Sequence, residues 1–181
     1  GEGSGFLVLE DLDSALARNA RIYGEIIGYA ATSDGEDMVR PSHDGSRWAD
    51  AIRQALAEAS IAPDRIDYVS CHGTGTREND RAEVRAITDA LGRTDVPIGS
   101  IKSMIGHAFG GASALELVCL GMILVDKILP PTINYSAPDP ECDIDCVPNE
   151  ARPVTRCDYA LKTATGFGGS NMALVMAGWE D

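Results

Sequence analysis

The sequence predicts an α/β domain with a mixed sheet and a helix buried at its centre. Short apolar runs typical of strands alternate with segments of helical period along the 181 residues. The helical segment 108–125 has one charged residue, Glu116, so we expect it to be covered on nearly all sides. With 44 % hydrophobic and 24 % charged residues, the chain can bury one substantial core.

The first third of the chain contains two strand-like runs and two helix-like segments. The runs at residues 6–9 and 22–31 are expected to be strands, and residues 12–18 a short helix between them. From Ser46 the pattern becomes helical, because four apolar residues recur at spacings of four, four and three: Trp48, Ile52, Leu56 and Ala59. Polar residues take the other face, so this helix should lie on the sheet.

A short buried strand is expected over residues 66–70, and the loop CHGTGT follows it at residues 71–76. In layered α/β folds, ligands usually bind at this carboxyl end of a strand. The next helix is expected to begin at Asp80, because Asp80 and Glu83 have the spacing of a capping box. Gly92 is expected just past its end.

The rest of the chain continues the alternation. Residues 96–98 are strand-like, and SIKSMIGH at residues 100–107 leads into the apolar helix. Residues 136–153 contain four prolines and are expected to be irregular. Two further strands are predicted at residues 159–164 and 172–177, joined by the turn GFGGSN at residues 166–171.

Charge and cysteine content exclude several classes of protein. A net charge of -13 argues against a nucleic-acid partner, because that binding depends on Lys and Arg neutralising phosphates. The chain begins without a basic-then-apolar leader, and its longest apolar run is interrupted by Glu116, so we expect a cytoplasmic protein without a membrane span. Five cysteines indicate free thiols, and a zinc pattern at Cys142, Cys146 and Cys157 lacks an evident fourth ligand.

Two of the three histidines, His72 and His107, follow short elements inside glycine-containing turns. An imidazole there can act as an acid, a base or a hydrogen-bond donor, although a structural role in the turn is also open. Lys102 lies in an otherwise apolar segment and needs a carboxylate or solvent, and Asp80 and Glu83 are possible partners. His43 lies in a polar stretch and is expected at the surface.

The glycine-rich turns do not match a nucleotide-binding motif, because no GxxxxGK[ST] or strand-GxGxxG-helix order is present. Glycines in GFGGSN would instead let backbone N–H groups approach a reacting carbonyl oxygen. Spacing alone identifies no nucleophile. Cys71 adjoins His72, but neighbours on an extended strand point to opposite faces, so this pair is not expected to work together.

Five segments of the chain resemble the C-terminal half of the β-ketoacyl-acyl-carrier-protein synthases, the condensing enzymes with the thiolase fold. They occur in the family's order: GEGSGFLVLEDLDSALAR, HGTGTRENDRAE, SIKSMIGHAFGGASALE, ILPPTINYSAPDPECDIDCVPNEAR and GFGGSN. The resemblance covers essentially residues 1–181. It implies one half of a layered α-β-α-β-α architecture, with a mixed five-stranded sheet and a buried central helix.

The resemblance also implies roles for residues. His72 and His107 match the family's catalytic pair, which donates to the thioester carbonyl of malonyl-carrier protein during decarboxylation. Lys102 matches the active-site lysine, and Glu83 with Asp80 its carboxylate network.

Five further residues match positions of the family that concern the substrate. Thr74 and Thr76 match threonines that bind the phosphopantetheine arm, which belongs to the carrier protein, so no cofactor or metal of the chain's own is expected. Phe167 matches the gatekeeping phenylalanine, with Gly168 and Gly169 keeping its loop movable. Glu78-Asn79-Asp80 after HGTGT is similar to discrete elongating synthases of type II fatty-acid or aromatic-polyketide systems.

One departure limits what the chain is expected to do. The family's nucleophilic cysteine lies in the N-terminal half, upstream of GEG, and none of the five cysteines matches it. We therefore expect the C-terminal part of a synthase, inactive alone, whose partners are acyl carrier protein, the N-terminal half and a second copy in a homodimer. The alternatives are a non-catalytic partner subunit resembling a chain-length factor, or a separately folded module that binds carrier protein.

Overall fold

Five helices and seven strands follow one another in residues 1–179, the part of the chain that the computed structural model describes. The helices are α1 Leu12–Ala17, α2 Ser46–Ala59, α3 Arg77–Leu91, α4 Lys102–Ile105 and α5 Ala112–Asp126. The strands are β1 Glu25–Ser33, β2 Tyr68–Ser70, β3 Ile98–Gly99, β4 Ile128–Leu129, β5 Arg152–Pro153, β6 Tyr159–Gly166 and β7 Ser170–Ala177.

Five of the strands form one mixed sheet in the order β1-β7-β6-β2-β3. β1, β7 and β6 are antiparallel neighbours, whereas β2 and β3 run parallel to β6. β6 and β7 form a hairpin in which Gly166 lies opposite Ser170, so the turn GFGG stands at its tip. The mixed five-stranded sheet confirms the predicted fold class. β4 and β5 form a separate two-stranded ribbon.

Helices cover the two faces of this sheet. α2 packs on β1 and β7 and against α3, and the core there contains Trp48, Ile52 and Leu161. α5 lies on the other face, where Leu120 and Ile123 cluster with Tyr68 and Met176.

Strand alternation decides which way the residues of the HGTGT loop face. Along β2, Tyr68 belongs to the α5 face and Val69 to the α2–α3 face. Cys71 continues on the α2–α3 face, in the same cluster as Val69. The imidazole of His72 meets that of His107, as described below, and the expectation that Cys71 and His72 do not work together stays a prediction.

The apolar helix α5 is buried on one side only within this chain. Leu120 is fully buried, whereas Val118, Met122 and Val125 expose between 38 and 52 % of their surface. Residues Phe109–Asp126 are long and apolar enough to cross a membrane, with a mean hydropathy of 1.7. The core helix of a soluble protein passes the same test, so this finding does not by itself indicate a membrane span.

Several predicted element boundaries are wrong. Residues 6–9 form no strand, because no described strand lies beside them to pair with their backbone. β1 begins at Glu25, and α5 begins at Ala112 because a 3₁₀ turn takes up Phe109–Gly111. The prediction for the end of α3 is confirmed, since Gly92 closes it with φ of 67°.

The predicted capping box is also wrong. α3 begins at Arg77, so Asp80 and Glu83 lie inside the helix. Their carboxylates accept hydrogen bonds from backbone N–H groups of the preceding loop, and not from backbone N–H groups of the helix's own first turn.

The one-sided burial of α5 predicts a difference between two substitutions on the same helix. Leu120→Ala should lower the free energy of unfolding by about 2 to 5 kcal/mol, because it opens a cavity in a packed core. Met122→Ala should lower it by less than about 1 kcal/mol, because this side chain is half exposed. Urea unfolding of the 181-residue chain measures both, and equal losses would contradict this description of α5.

Candidate active site

Two loops bring the imidazoles of His72 and His107 side by side. His72 follows β2, and His107 follows the short helix α4. The ring centroids are 5.4 Å apart, and the rings meet edge to face at 83°. His72 is buried, whereas His107 is half-buried. The two candidates from separate sequence motifs therefore share one site.

The carboxylate of Glu83 fixes the beginning of the HGTGT loop. It accepts hydrogen bonds from the backbone N–H groups of His72, at 2.7 Å, and Gly73, at 2.8 Å. The hydroxyl of Thr163 on β6 donates to it at 2.7 Å. Burial raises the pKa of Glu83, and the hydrogen bonds from Thr163 and Gly73 oppose that effect. Glu83 thus ties α3, the end of β2 and β6 together at one point.

Asp80 holds the next part of the same loop. Its Oδ1 accepts the N–H of Gly75 at 3.2 Å and the side-chain amide of Asn79 at 3.1 Å. Burial raises the pKa of Asp80. Gly73 adopts a φ of 49°, and a Cβ there would lie 2.5 Å from the Cβ of Ser100. The tight turn after His72 therefore requires glycine at this position.

Lys102 lies on the opposite side of His72 and reaches a carboxylate that the sequence did not indicate. Its Nζ donates to the backbone carbonyl of His72 and to Oε1 of Glu116 on α5. The predicted partners, Asp80 and Glu83, are occupied by N–H groups of the HGTGT loop. The expectation that either pairs with Lys102 is therefore wrong.

A second buried lysine completes this cluster. Nζ of Lys162, on β6, lies 2.9 Å from Oε2 of Glu116 and contacts the backbone carbonyls of Ser70, at 3.3 Å, and Thr163. Sequence reasoning missed Glu116, Lys162 and Thr163. The available signal was a single acid in an apolar helix, Glu116, and a single lysine in an apolar strand, Lys162. Charged groups in buried segments need partners of opposite charge.

These surroundings keep His72 neutral. Burial lowers the pKa of His72 to about 3, and the nearby positive charges of Lys102 and Lys162 act in the same direction. Its Nδ1 is buried without a hydrogen-bond partner among the described residues. A neutral imidazole still carries one N–H, so His72 can donate a hydrogen bond at pH 7 without being an imidazolium.

His107 is oriented by its own loop. Its Nδ1 accepts the backbone N–H of Phe109 at 3.1 Å, and the two rings stack with centroids 4.7 Å apart. Burial and the charge of Lys102 lower the pKa of His107. Because Nδ1 is an acceptor, the proton of the neutral ring lies on Nε2, which makes Nε2–H the free donor.

The GFGG turn is tied to a loop that sequence reasoning did not connect with it. The N–H of Gly168 donates to the carbonyl of Met38 at 2.8 Å, and the N–H of Asp34 donates to the carbonyl of Gly169 at 2.9 Å. Asn171 donates to the Asp34 carboxylate at 2.6 Å. Phe167 at the tip is 74 % exposed. No contact among the described residues joins this turn to either imidazole, so the parts assigned to Phe167, Gly168 and Gly169 stay predictions.

Thr74 and Thr76 line a cavity of about 460 Å³ beside the HGTGT loop. Their hydroxyls lie 2.9 Å apart, and Lys102 and Arg77 contribute to the same wall. Neither imidazole lines this cavity, so the predicted contact of the threonines with a pantetheine arm stays a prediction. Three cysteines also line it, Cys71, Cys142 and Cys146, but residues 1–179 hold no cluster of His, Cys, Asp and Glu suited to a metal ion.

The mixed sheet and its covering helices are those of the thiolase-like ketosynthases. The family model for the C-terminal domain of β-ketoacyl synthases matches residues 23–136. The chain belongs to this family, which confirms the resemblance seen in the sequence.

Relatives come from two kinds of pathway. Over 99 % of its length, the chain is 44 % identical to a 3-oxoacyl-[acyl-carrier-protein] synthase 2 of Synechocystis, of which it covers 44 %. Over 98 % of its length it is 45 % identical to the tetracenomycin polyketide synthase ketoacyl synthase alpha subunit of Streptomyces glaucescens, of which it covers 42 %. The chain thus spans less than half the length of these relatives.

Solved structures agree on the fold. The ketosynthase in a complex of the type II polyketide proteins AntDE and AntF matches 94 % of this chain, with a TM-score of 0.92 and 39 % identity, over 42 % of that ketosynthase. A β-ketoacyl synthase from Burkholderia phymatum gives a TM-score of 0.89 at 34 % identity, with 94 % of this chain and 41 % of that one covered.

The neutral state of His72 predicts how stability depends on pH. In the unfolded chain this residue takes up a proton below pH 6.5, whereas in the folded chain it takes one up only near pH 3. Stability from this group is therefore complete above pH 6.5 and is lost as the pH falls. Between pH 7 and pH 5 the loss should be about 2 kcal/mol.

Denaturant unfolding of the chain and of His72→Asn at both pH values measures this contribution. The variant should lose about 2 kcal/mol less than the native sequence over this interval. The same pH dependence in both proteins would show that His72 titrates normally in the folded state.

Proposed function

We propose that this chain forms the decarboxylating part of a β-ketoacyl-carrier-protein synthase. The observation that carries the proposal is the pair of neutral imidazoles, His72 and His107, with ring centroids 5.4 Å apart. Two N–H donors at this spacing suit a single oxygen atom on which negative charge develops. The retained pair and Lys102 favour a synthase over a non-catalytic partner subunit.

In the proposed reaction, the carbonyl oxygen of a malonyl thioester accepts hydrogen bonds from His72 and His107. As carbon dioxide leaves, the electron pair of the broken carbon–carbon bond moves onto the thioester, and the carbonyl oxygen becomes the enolate oxygen. Donors already in place stabilise this charge without reorganising. Lys102 keeps the His72 backbone in position and adds positive charge beneath the site.

The second half of the reaction requires a nucleophile from outside these 181 residues. The enolate carbon attacks an acyl thioester held on a cysteine, a new carbon–carbon bond forms, and the thiolate leaves. None of the five cysteines of this chain suits this role, because burial raises the pKa of each thiol and so disfavours the thiolate. We therefore propose that this chain alone does not condense acyl groups.

The proposed substrate carrier is an acyl carrier protein, whose phosphopantetheine arm brings the thioester to the histidines. Support comes from the solved relative in which a type II polyketide acyl-carrier protein is bound to its ketosynthase. Thr74 and Thr76 are the proposed contacts of the arm, and Phe167 the proposed gate. Identities of 44 and 45 % to fatty-acid and polyketide relatives do not favour either pathway.

The histidine pair is tested by release of labelled carbon dioxide from carboxyl-labelled malonyl-carrier protein, using the complete gene product that contains this chain. His72→Ala and His107→Ala should each lower the rate by about 100- to 1000-fold, because each removes one donor to the developing oxyanion. His43→Ala is the matched control and should leave the rate unchanged, since His43 is exposed and packs on Arg85.

A native rate in either active-site variant would contradict the proposal. Condensation by the 181-residue chain alone would contradict the second part of it. A cysteine in the nucleophile motif of the upstream coding sequence would support a synthase, whereas another residue there would indicate a non-catalytic partner.

A further inference from the structure

Lys162 is a buried ammonium in the middle of the central strand β6, and the proposed reaction gives it no part. Only 3 % of its surface is exposed. The chain has three lysines, and two of them, Lys102 and Lys162, are buried around Glu116. A buried ammonium is costly unless oxygen atoms surround it, so its position in the strand requires a reason.

Three oxygen atoms lie close to this ammonium. The backbone carbonyls of Ser70 and Thr163 accept hydrogen bonds from it, and Oε2 of Glu116 lies 2.9 Å away in an ion pair that lacks hydrogen-bond geometry. Ser70 is the last residue of β2, two residues before His72, and Thr163 is the residue that donates to Glu83. The contacts of Lys162 therefore join the strand that carries His72 to the helix that carries Glu116.

The cluster around Glu116 has an unbalanced charge. One carboxylate faces two ammonium groups, Lys102 on Oε1 and Lys162 on Oε2, which leaves a net positive charge. The other carboxylates near Lys102 belong to α3, Glu83 and Asp80, and both accept N–H groups of the HGTGT loop. The other titratable neighbours are His72 and His107 near Lys102, Cys71 near Lys162, and Tyr68 and Cys119 near Glu116; burial raises the pKa of the phenol and of both thiols, so these three stay neutral.

We propose that Lys162 is a positioning residue of the active site, which holds Glu116 from the β6 side so that Lys102 stays on the His72 carbonyl. Its charge makes the cluster net positive, which adds to the burial that keeps His72 neutral and surrounds a developing enolate with positive potential. The consequence for catalysis rests on the proposed function, whereas the effect on Lys102 and His72 does not.

Removing the charge of Lys162 should change how Lys102 binds its proton. With Lys162 present, burial lowers the pKa of Lys102 and the second ammonium lowers it further, while Glu116 opposes both. Without the charge of Lys162, Glu116 forms an ion pair with Lys102 alone. Lys102 should then bind its proton about tenfold more tightly. A purely structural lysine would lower stability on removal but would not shift this titration.

The test is an NMR titration of lysines labelled with ¹³C at Cε, in the complete gene product, between pH 7 and pH 11. Lys162→Met removes the charge and keeps most of the side-chain length, and Lys162→Gln also keeps N–H donors for the carbonyls of Ser70 and Thr163. Having both variants keeps the test valid if the methionine variant does not fold. Lys127→Met is the matched control, because Lys127 also donates to a backbone carbonyl, that of Cys157, but lies at the far end of α5.

The midpoint of Lys102 should rise by about one pH unit in Lys162→Met or Lys162→Gln and stay unchanged in Lys127→Met. An unchanged midpoint in folded Lys162 variants would overturn the proposal. The release of labelled carbon dioxide is measured on the same proteins as a function of pH. The basic limb of this pH profile should shift to higher pH together with the midpoint of Lys102. If the native protein releases no carbon dioxide but the midpoint still shifts, the proposed function fails and the role of Lys162 stands.

Discussion

The carboxylate of Glu83 accepts two consecutive backbone N–H groups, those of His72 and Gly73, at the point where β2 ends. A buried carboxylate is stable only when hydrogen bonds or charges compensate for its lost hydration, and here the hydroxyl of Thr163 and the two loop N–H groups supply that compensation. The interaction therefore constrains both partners. α3 must pack against the end of β2, and the chain must turn sharply at Gly73, which leaves His72 on the α5 side of the sheet.

Charges on the two sides of His72 complement each other. Its backbone N–H points to the carboxylate of Glu83, and its carbonyl accepts from the ammonium of Lys102. The negative charge lies at the N–H and the positive charge at a carbonyl, as the dipoles of these groups favour. These two contacts hold the backbone of His72 and leave its imidazole free. Burial and the positive charges of Lys102 and Lys162 keep the ring neutral. Burial and Lys102 act in the same way on His107, and the N–H of Phe109 fixes its tautomer.

Sequence patterns predicted those features that depend on neighbouring residues. The amphipathic period predicted α2, and the alternation of short apolar runs predicted β6 and β7. The HGTGT and SIKSMIGH motifs indicated the two histidines of the site. The partner of Lys102 could not be found in this way, because Glu116 lies on another helix and only packing decides which carboxylate a lysine reaches. The spacing of Asp80 and Glu83 fitted a helix cap, but the loop before α3 offered better donors. The exposed face of α5 was missed for a related reason, since an apolar pattern does not say which side is covered.

Amide hydrogen exchange at His72 and Gly73 tests most directly whether Glu83 holds the site. Both amides should be strongly protected in the native chain. In Glu83→Gln one acceptor oxygen replaces two, so we expect these amides to exchange about 10- to 100-fold faster. Asp80→Asn is the matched control and should leave both rates unchanged, because Asp80 accepts the N–H of Gly75 instead. Native protection of His72 and Gly73 in Glu83→Gln would contradict the central role of this carboxylate.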